Sequence, residues 1–186
     1  MLNRHVVVLA TFITFTTVLT PALAQTYPPA PFFDTLSTFC GAKFEGKSMF
    51  PPDDAPGNAF ARKKLVANIV SCTADEIRVP FIVGEDRSRT WIIKRTSTGL
   101  ELLHDHRHAD GQPDAVTMYG GPSVDAGTST AQSFSSSPHT HVVFPGSETN
   151  IWTISVAPDG SALIYNLDRH GKPRMRAELV RAASSR

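Results

Sequence analysis

Two cysteines, two tryptophans and no surplus of charge are the first things this 186-residue chain lacks in quantity. With only Cys40 and Cys72 there is no multi-bridge scaffold and no CxxC redox pair. Eighteen basic side chains stand against 17 acidic ones, so the basic stripe that a nucleic acid or an anionic membrane surface requires is missing. The catalytic templates are missing as well: no Gly-x-Ser-x-Gly elbow, no phosphate-cradling glycine loop and no His-Glu-x-x-His pair. Past the first two dozen residues no apolar run approaches the roughly 20 residues needed to span a bilayer. Binding is therefore a better expectation than catalysis, and nucleic acid is not an expected partner.

The opening 24 residues have the features of an export signal. Arg4 supplies a positive start, Val6 to Leu19 an apolar stretch, and Ala22-Leu23-Ala24 a small-x-small cleavage site. No cysteine stands at that site to take a lipid. Cleavage would begin the mature chain at Gln25 and leave 17 basic and 17 acidic side chains, with no membrane-spanning segment. The expected location is periplasmic or secreted. There disulfides persist, so Cys40 and Cys72 are expected to pair.

The rest of the chain follows a period of two, cut at short intervals by turn residues. Strands are predicted at Leu65 to Cys72, Ile77 to Val83, Thr90 to Arg95, Leu100 to His106, Ala115 to Tyr119, Thr130 to Phe134, His141 to Phe144, Asn150 to Ala157, Ala162 to Asp168 and Arg174 to Val180. Thr98-Gly99, Gly120-Gly121-Pro122, Asp159-Gly160 and His170-Gly171 supply hairpin chemistry. The prolines between Gln25 and Pro31 predict an extended arm over residues 25–35, with a single domain over residues 36–183. An all-β fold follows. An antiparallel up-and-down barrel removes exposed edges, and a two-sheet β-sandwich is the alternative. Pro80 inside a strand points to an edge or a bulge.

Leu36 to Gly46 reads Leu-Ser-Thr-Phe-Cys-Gly-Ala-Lys-Phe-Glu-Gly and resembles the Gly-x-Trp-x-Gly opening of lipocalin-like (calycin) barrels, with Phe44 in place of the tryptophan and one residue inserted after Gly41. That resemblance implies a basic residue from the last strand, Arg174 or Arg176, lying over Phe44. Gly84-Glu-Asp-Arg-Ser-Arg-Thr-Trp91, His104-Asp-His-Arg-His-Ala-Asp-Gly111 and Tyr119-Gly-Gly121 together resemble a family of uncharacterised secreted bacterial proteins. This likeness assigns no catalytic role to any residue.

The histidine run is the densest chemistry in the chain. On a regular strand His104, His106 and His108 face one way and Asp105 and Arg107 the other. Neighbours are then about 6.7 Å apart at Cα and the outer pair about 13 Å. A zinc or other divalent ion, bound at about 2.0–2.1 Å, could be shared by two neighbours but not by all three. His139 or His141 would have to complete the site. No other cofactor is implied. A second polar cluster, Glu85 to Arg89, places Arg87 and Arg89 with Arg107 as an anion-recognition group at one barrel mouth.

Three functions fit these residues. The first is an exported barrel binding a small, partly apolar ligand, with Trp91, Tyr119, Trp152 and Tyr165 as wall residues and Arg87, Arg89, His104 and His106 as polar anchors. A metal-dependent, zinc-type enzyme built on the His-x-His-x-His segment is the second. The third is an envelope interaction domain without a pocket.

Overall fold

A computed structural model describes residues 27–183; the expected export signal, residues 1–24, lies outside the described residues. The described chain forms eleven strands and two short helices. In chain order these are α1 (Pro31–Ser37), β1 (Lys43–Phe50), β2 (Leu65–Asn68), β3 (Ser71–Cys72), β4 (Glu76–Val83), β5 (Asp86–Thr96), β6 (Gly99–His106), β7 (Tyr119–Pro122), β8 (Ala131–Ser135), α2 (Pro138–Val143), β9 (Ile151–Val156), β10 (Ala162–Arg169) and β11 (Lys172–Arg181).

Around the sheet the order is β7-β6-β5-β4-β2-β1-β11-β10-β9-β8, every pairing is antiparallel, and β3 adds only to the start of β4. The first strand pairs with the last over six registered positions, from Phe44 with Arg181 to Phe50 with Arg176. That ladder joins the two halves of a nearly closed, up-and-down, ten-strand barrel, as expected ahead of the sandwich. Only the β7–β8 seam is thin. It holds one bridge, Ser123 with Phe134, and two flanking backbone bonds, Val124 N–H to the Ser133 carbonyl and Ser137 N–H to the Gly120 carbonyl.

Strict alternation fills the interior. β4 buries Ile77, Val79, Phe81 and Val83, and β9 buries Trp152, Ile154 and Val156, with the residues between them facing outward. The two strands flanking β4 explain how Pro80 fits a closed barrel. β2 pairs with Phe81 to Val83 and β3 with Ile77 and Arg78, so Pro80 falls where that side of β4 has no partner to receive an N–H. The expected bulge lies just beyond, between Phe81 and Val83.

One end of the barrel is plugged. Residues 31–35, expected as the end of an extended arm, instead begin α1, because Pro31 suits a first helical position and Phe32, Phe33 and Leu36 fall on one face. All three are buried, each burial worth about 1.5–3 kcal/mol. Arg95 at the end of β5 lies over the Phe33 ring at 4.3 Å and pairs with Asp34. The Cys40–Cys72 disulfide, with Cα atoms 6.1 Å apart, ties the segment after α1 to β3. Phe44 is fully buried in the same core. Arg181 stands across from it in register and reaches Phe39 instead, whereas Arg176 faces Phe50. The arginine cover implied by the lipocalin-like opening is therefore not built from Arg174 or Arg176.

At the other end the second helix replaces an expected strand. His141 to Phe144 are apolar enough to alternate, but Ser137-Pro138 caps a helix first: the Ser137 hydroxyl accepts from Thr140 N–H at 3.2 Å. Thr140 then does the work of a missing strand. Its hydroxyl accepts from Gly120 N–H at 2.7 Å and donates to the Gly120 carbonyl at 2.6 Å. The Ala115 to Tyr119 segment, expected as a strand, is irregular until Tyr119, and pairing with β6 runs through Gly120 and Gly121. Glycine is required at 121, since a Cβ there would lie 2.4 Å from the Ser135 carbonyl.

Candidate functional site

Six of the seven histidines lie in the described residues, and strand direction carries all six toward the end opposite the plug. His104 and His106 close β6, His108 follows it, His139 and His141 are on α2, and His170 sits in the β10–β11 turn. This end is the mouth of the barrel.

Register decides which side chains meet there. β5 and β6 pair Trp91 with His104 and Arg89 with His106, so two aromatic-polar rungs follow one another toward the mouth. The lower rung is a packed floor. Trp91 stacks on Phe81 at 4.4 Å and on Tyr165 at 4.5 Å, and His104 stacks on Tyr119 at 4.7 Å, with Trp152 5.3 Å from the His104 ring. Trp91, Trp152 and Tyr165, expected as walls of a ligand cavity, fill this level of the barrel with each other.

His104 is buried and both of its ring nitrogens are engaged. Nδ1 lies 3.1 Å from the Tyr119 carbonyl and Nε2 lies 2.8 Å from the Tyr165 hydroxyl. A carbonyl only accepts, so Nδ1 carries the proton and the Tyr165 hydroxyl donates to Nε2. Burial holds the His104 pKa down to about 3, against the Tyr119 carbonyl, which favours the charged form, and with the nearby His106 charge adding to burial. The ring is therefore neutral across ordinary pH. Burial also pushes the Tyr165 hydroxyl well above the usual tyrosine range, with Tyr119 adding to it.

His106, one rung higher, is half-buried and meets the Tyr119 hydroxyl at 3.1 Å through Nε2. Burial lowers its pKa first and Arg89 second, against Asp114, Asp86 and Asp105. Tyr119 is pushed up to about 12 by burial, with Arg89 opposing. Asp105 faces outward yet is covered: Arg107 Nε donates to it at 2.9 Å, and the Thr117 hydroxyl donates at 3.2 Å.

Beyond the second rung the two polar motifs converge. Glu85 from the β4–β5 turn, Asp86, Arg87 and Ser88 from the start of β5, and Arg107, His108 and Ala109 from the segment after β6 line one open cleft of about 530 Å³. Arg89 is not free to serve it, since its Nη1 is 2.5 Å from Asp86. Burial would raise the Asp86 pKa, but bonds from Ser88 and the Arg89 charge outweigh it and hold the carboxyl down to about 2. Arg87 is exposed at the cleft and makes no ion pair among the described residues. Its neighbour Arg107 spends Nε on Asp105 and donates from Nη1 to the Gly111 carbonyl at 3.3 Å.

The expected metal site, two neighbours of His104, His106 and His108 completed by His139 or His141, is not assembled among the described residues. His104 and His106 face the interior, His108 turns into the cleft, and His139 is exposed at the start of α2. Among the described residues no three His, Cys, Asp or Glu side chains are placed to hold one ion. Sequence reasoning grouped Glu85 to Arg89 with Arg107 but did not single out Thr117 or Thr140, whose roles are hydroxyl bonds that no spacing announces. Among the described residues no helix is long and apolar enough to cross a membrane. Comparison with protein-family models, with curated proteins and with solved structures finds no match for this chain.

Proposed function

We propose that this is an exported binding protein, periplasmic or secreted, that takes a small, partly apolar ligand at the open mouth of its barrel. The observation that carries the reading is the convergence of Arg87, Arg107 and His108 on one cleft, contributed by two motifs about twenty residues apart in sequence. The interior floor offers no comparable space, being packed with Phe81, Trp91, His104, Tyr119, Trp152 and Tyr165. A guanidinium without a protein partner, beside the methyl of Ala109 and the aliphatic stem of Arg107, suits a ligand that joins a carboxylate to a short apolar body. Binding rather than metal-assisted catalysis is supported by His104, whose two nitrogens already serve Tyr119 and Tyr165. Export is supported by the signal-like opening residues and by the Cys40–Cys72 bridge. The filled interior favours, as a second reading, an envelope interaction domain that uses the same mouth as a surface.

Backbone amide spectra recorded during titration with a panel of short-chain carboxylates test the first reading. Saturable shifts confined to residues 84–88 and 106–110, lost in Arg87→Ala, are the expected result. Absence of any saturable response across the panel leaves the interaction domain as the surviving reading. Mass and cell fractionation of the expressed full chain test export, which requires a product starting at Gln25 outside the cytoplasm.

A further inference from the structure

Across the mouth from the cleft, between α2, β9 and the β10–β11 turn, the structure leaves buried polar atoms without partners. Asn150 is fully buried and its Nδ2 has no hydrogen-bond partner; the same holds for the buried Nε2 of His141. A buried polar atom left unpaired is costly, so two such atoms in one neighbourhood call for a ligand. The neighbourhood is one unit. The loop after α2 folds back on the helix: the Ser147 hydroxyl donates to the Thr140 carbonyl at 3.4 Å and Asn150 N–H donates to the Ser147 carbonyl at 2.8 Å.

The orientation of Asn150 is fixed. Arg169 Nε donates to its Oδ1 at 2.7 Å, so the amide nitrogen must be the atom facing away from that contact. Arg169 itself is half-buried, lies over the Phe144 ring at 5.4 Å, and has no carboxylate partner among the described residues. Its terminal guanidinium nitrogens therefore remain available as donors. Thr149 holds the β10–β11 turn in place, its hydroxyl accepting from His170 N–H at 3.0 Å. Glu148 is the nearby acid, but it is exposed and accepts from Gly146 N–H at 3.2 Å. Backbone bonds from its own and the Gly146 amide lower its pKa first, and the His141 and Arg169 side chains also lower it.

We propose that Asn150 Nδ2, the Arg169 guanidinium and His141 Nε2 form a second site, for a small oxyanion. Every one of the three can present an N–H and one carries a permanent charge; Asn150 Nδ2 and His141 Nε2 have no protein partner, and Arg169 uses only its Nε, on Asn150 Oδ1. A neutral water would satisfy the amide but leave the guanidinium uncompensated in a half-buried setting. Carboxylate and phosphate share the required chemistry: planar or tetrahedral oxygens that accept several N–H bonds at once.

Nitrogen-proton spectra of the whole protein, titrated with inorganic phosphate and separately with acetate at constant ionic strength, decide the matter. Saturable shifts of the Asn150 side-chain amide and of Arg169 Nε–H are expected with one anion or both, and which anion acts identifies the source class. Asn150→Asp should weaken that binding at least tenfold while leaving the thermal midpoint equal or higher, because the new carboxylate pairs with Arg169. Arg169→Gln should weaken it as well, with Asn150 Nδ2 intact. Unchanged affinity in Asn150→Asp overturns the site. So does a water cross-peak at the Asn150 amide that persists unaltered through saturation with both anions, because it assigns the donors to solvent.

Discussion

The Tyr165 hydroxyl donates to Nε2 of His104 across 2.8 Å, joining β10 to β6 through the middle of the barrel. These strands are not neighbours in the sheet, so the bond acts as a polar strut across a largely apolar core.

Tyr165→Phe keeps the ring in its stack with Trp91 and removes only the donor. A buried imidazole nitrogen is then unpaired, and unfolding free energy is expected to fall by about 1–3 kcal/mol. In the double variant with His104→Leu the combined loss should be smaller than the sum of the two single losses, since both partners of the bond are gone. Chemical denaturation of the four proteins measures this, and strict additivity would deny the strut.

The same ring makes stability depend on pH. The folded-state pKa of His104, about 3, lies below the ordinary value of 6.5, so the unfolded chain takes up a proton that the folded chain refuses. The contribution is fully present above pH 6.5 and is lost as pH falls toward 3, at about 1 kcal/mol per pH unit for one proton. His106, also lowered by burial first and Arg89 second, acts in the same direction. Urea midpoints measured from neutral to acid pH should decline, and His104→Gln should flatten the decline. A profile that is level in the parent would mean that His104 charges inside the fold.

In the β1–β11 ladder, Gly46→Ala is expected to be costly. A Cβ at Gly46 would lie 1.9 Å from the Glu178 carbonyl, so β1 and β11 must part. Overpacking of this kind costs about 1–3 kcal/mol. Loss of protection in amide exchange should concentrate on β1 and β11, and uniform loss over all strands would place the strain elsewhere.

The Cys40–Cys72 bridge spans 32 residues, and its removal in Cys40→Ser/Cys72→Ser should lower stability by about 3 kcal/mol. Intact mass of the native protein should fall by two hydrogens relative to the reduced form. Two thiols open to alkylation without reduction would contradict the bridge.

Much of this barrel could be read from alternation. β4, β6, β9 and β10 lie within a residue or so of their predicted spans because every second residue is apolar and the turns carry glycine or aspartate. β1 was invisible to that reading, since its inward positions are Phe44, Gly46 and Ser48, and a glycine needed for close approach looks like a break. The helices failed for another reason: α1 and α2 have 7 and 6 residues, under two turns, too short for a helical period to show. The candidate site was half legible. Arg87 and His108 stood out as charged or titratable side chains in dense polar runs, but nothing in a sequence says that the start of β5 and the exit of β6 border one cleft. Asn150 gave no signal at all, because its importance lies in a partner that it lacks.

Pairing of the first strand with the last also fixes how the barrel presents itself. β1 begins and β11 ends at the plugged end, beside α1 and the disulfide, so both ends of the described chain leave the barrel on the side away from its histidines. Anything joined through either end holds the domain like a lamp by its base, with the arginine cleft and the Asn150 cluster turned outward. A fusion partner or a surface linkage at either terminus should therefore leave both sites accessible, and immobilised protein should bind as well as protein free in solution.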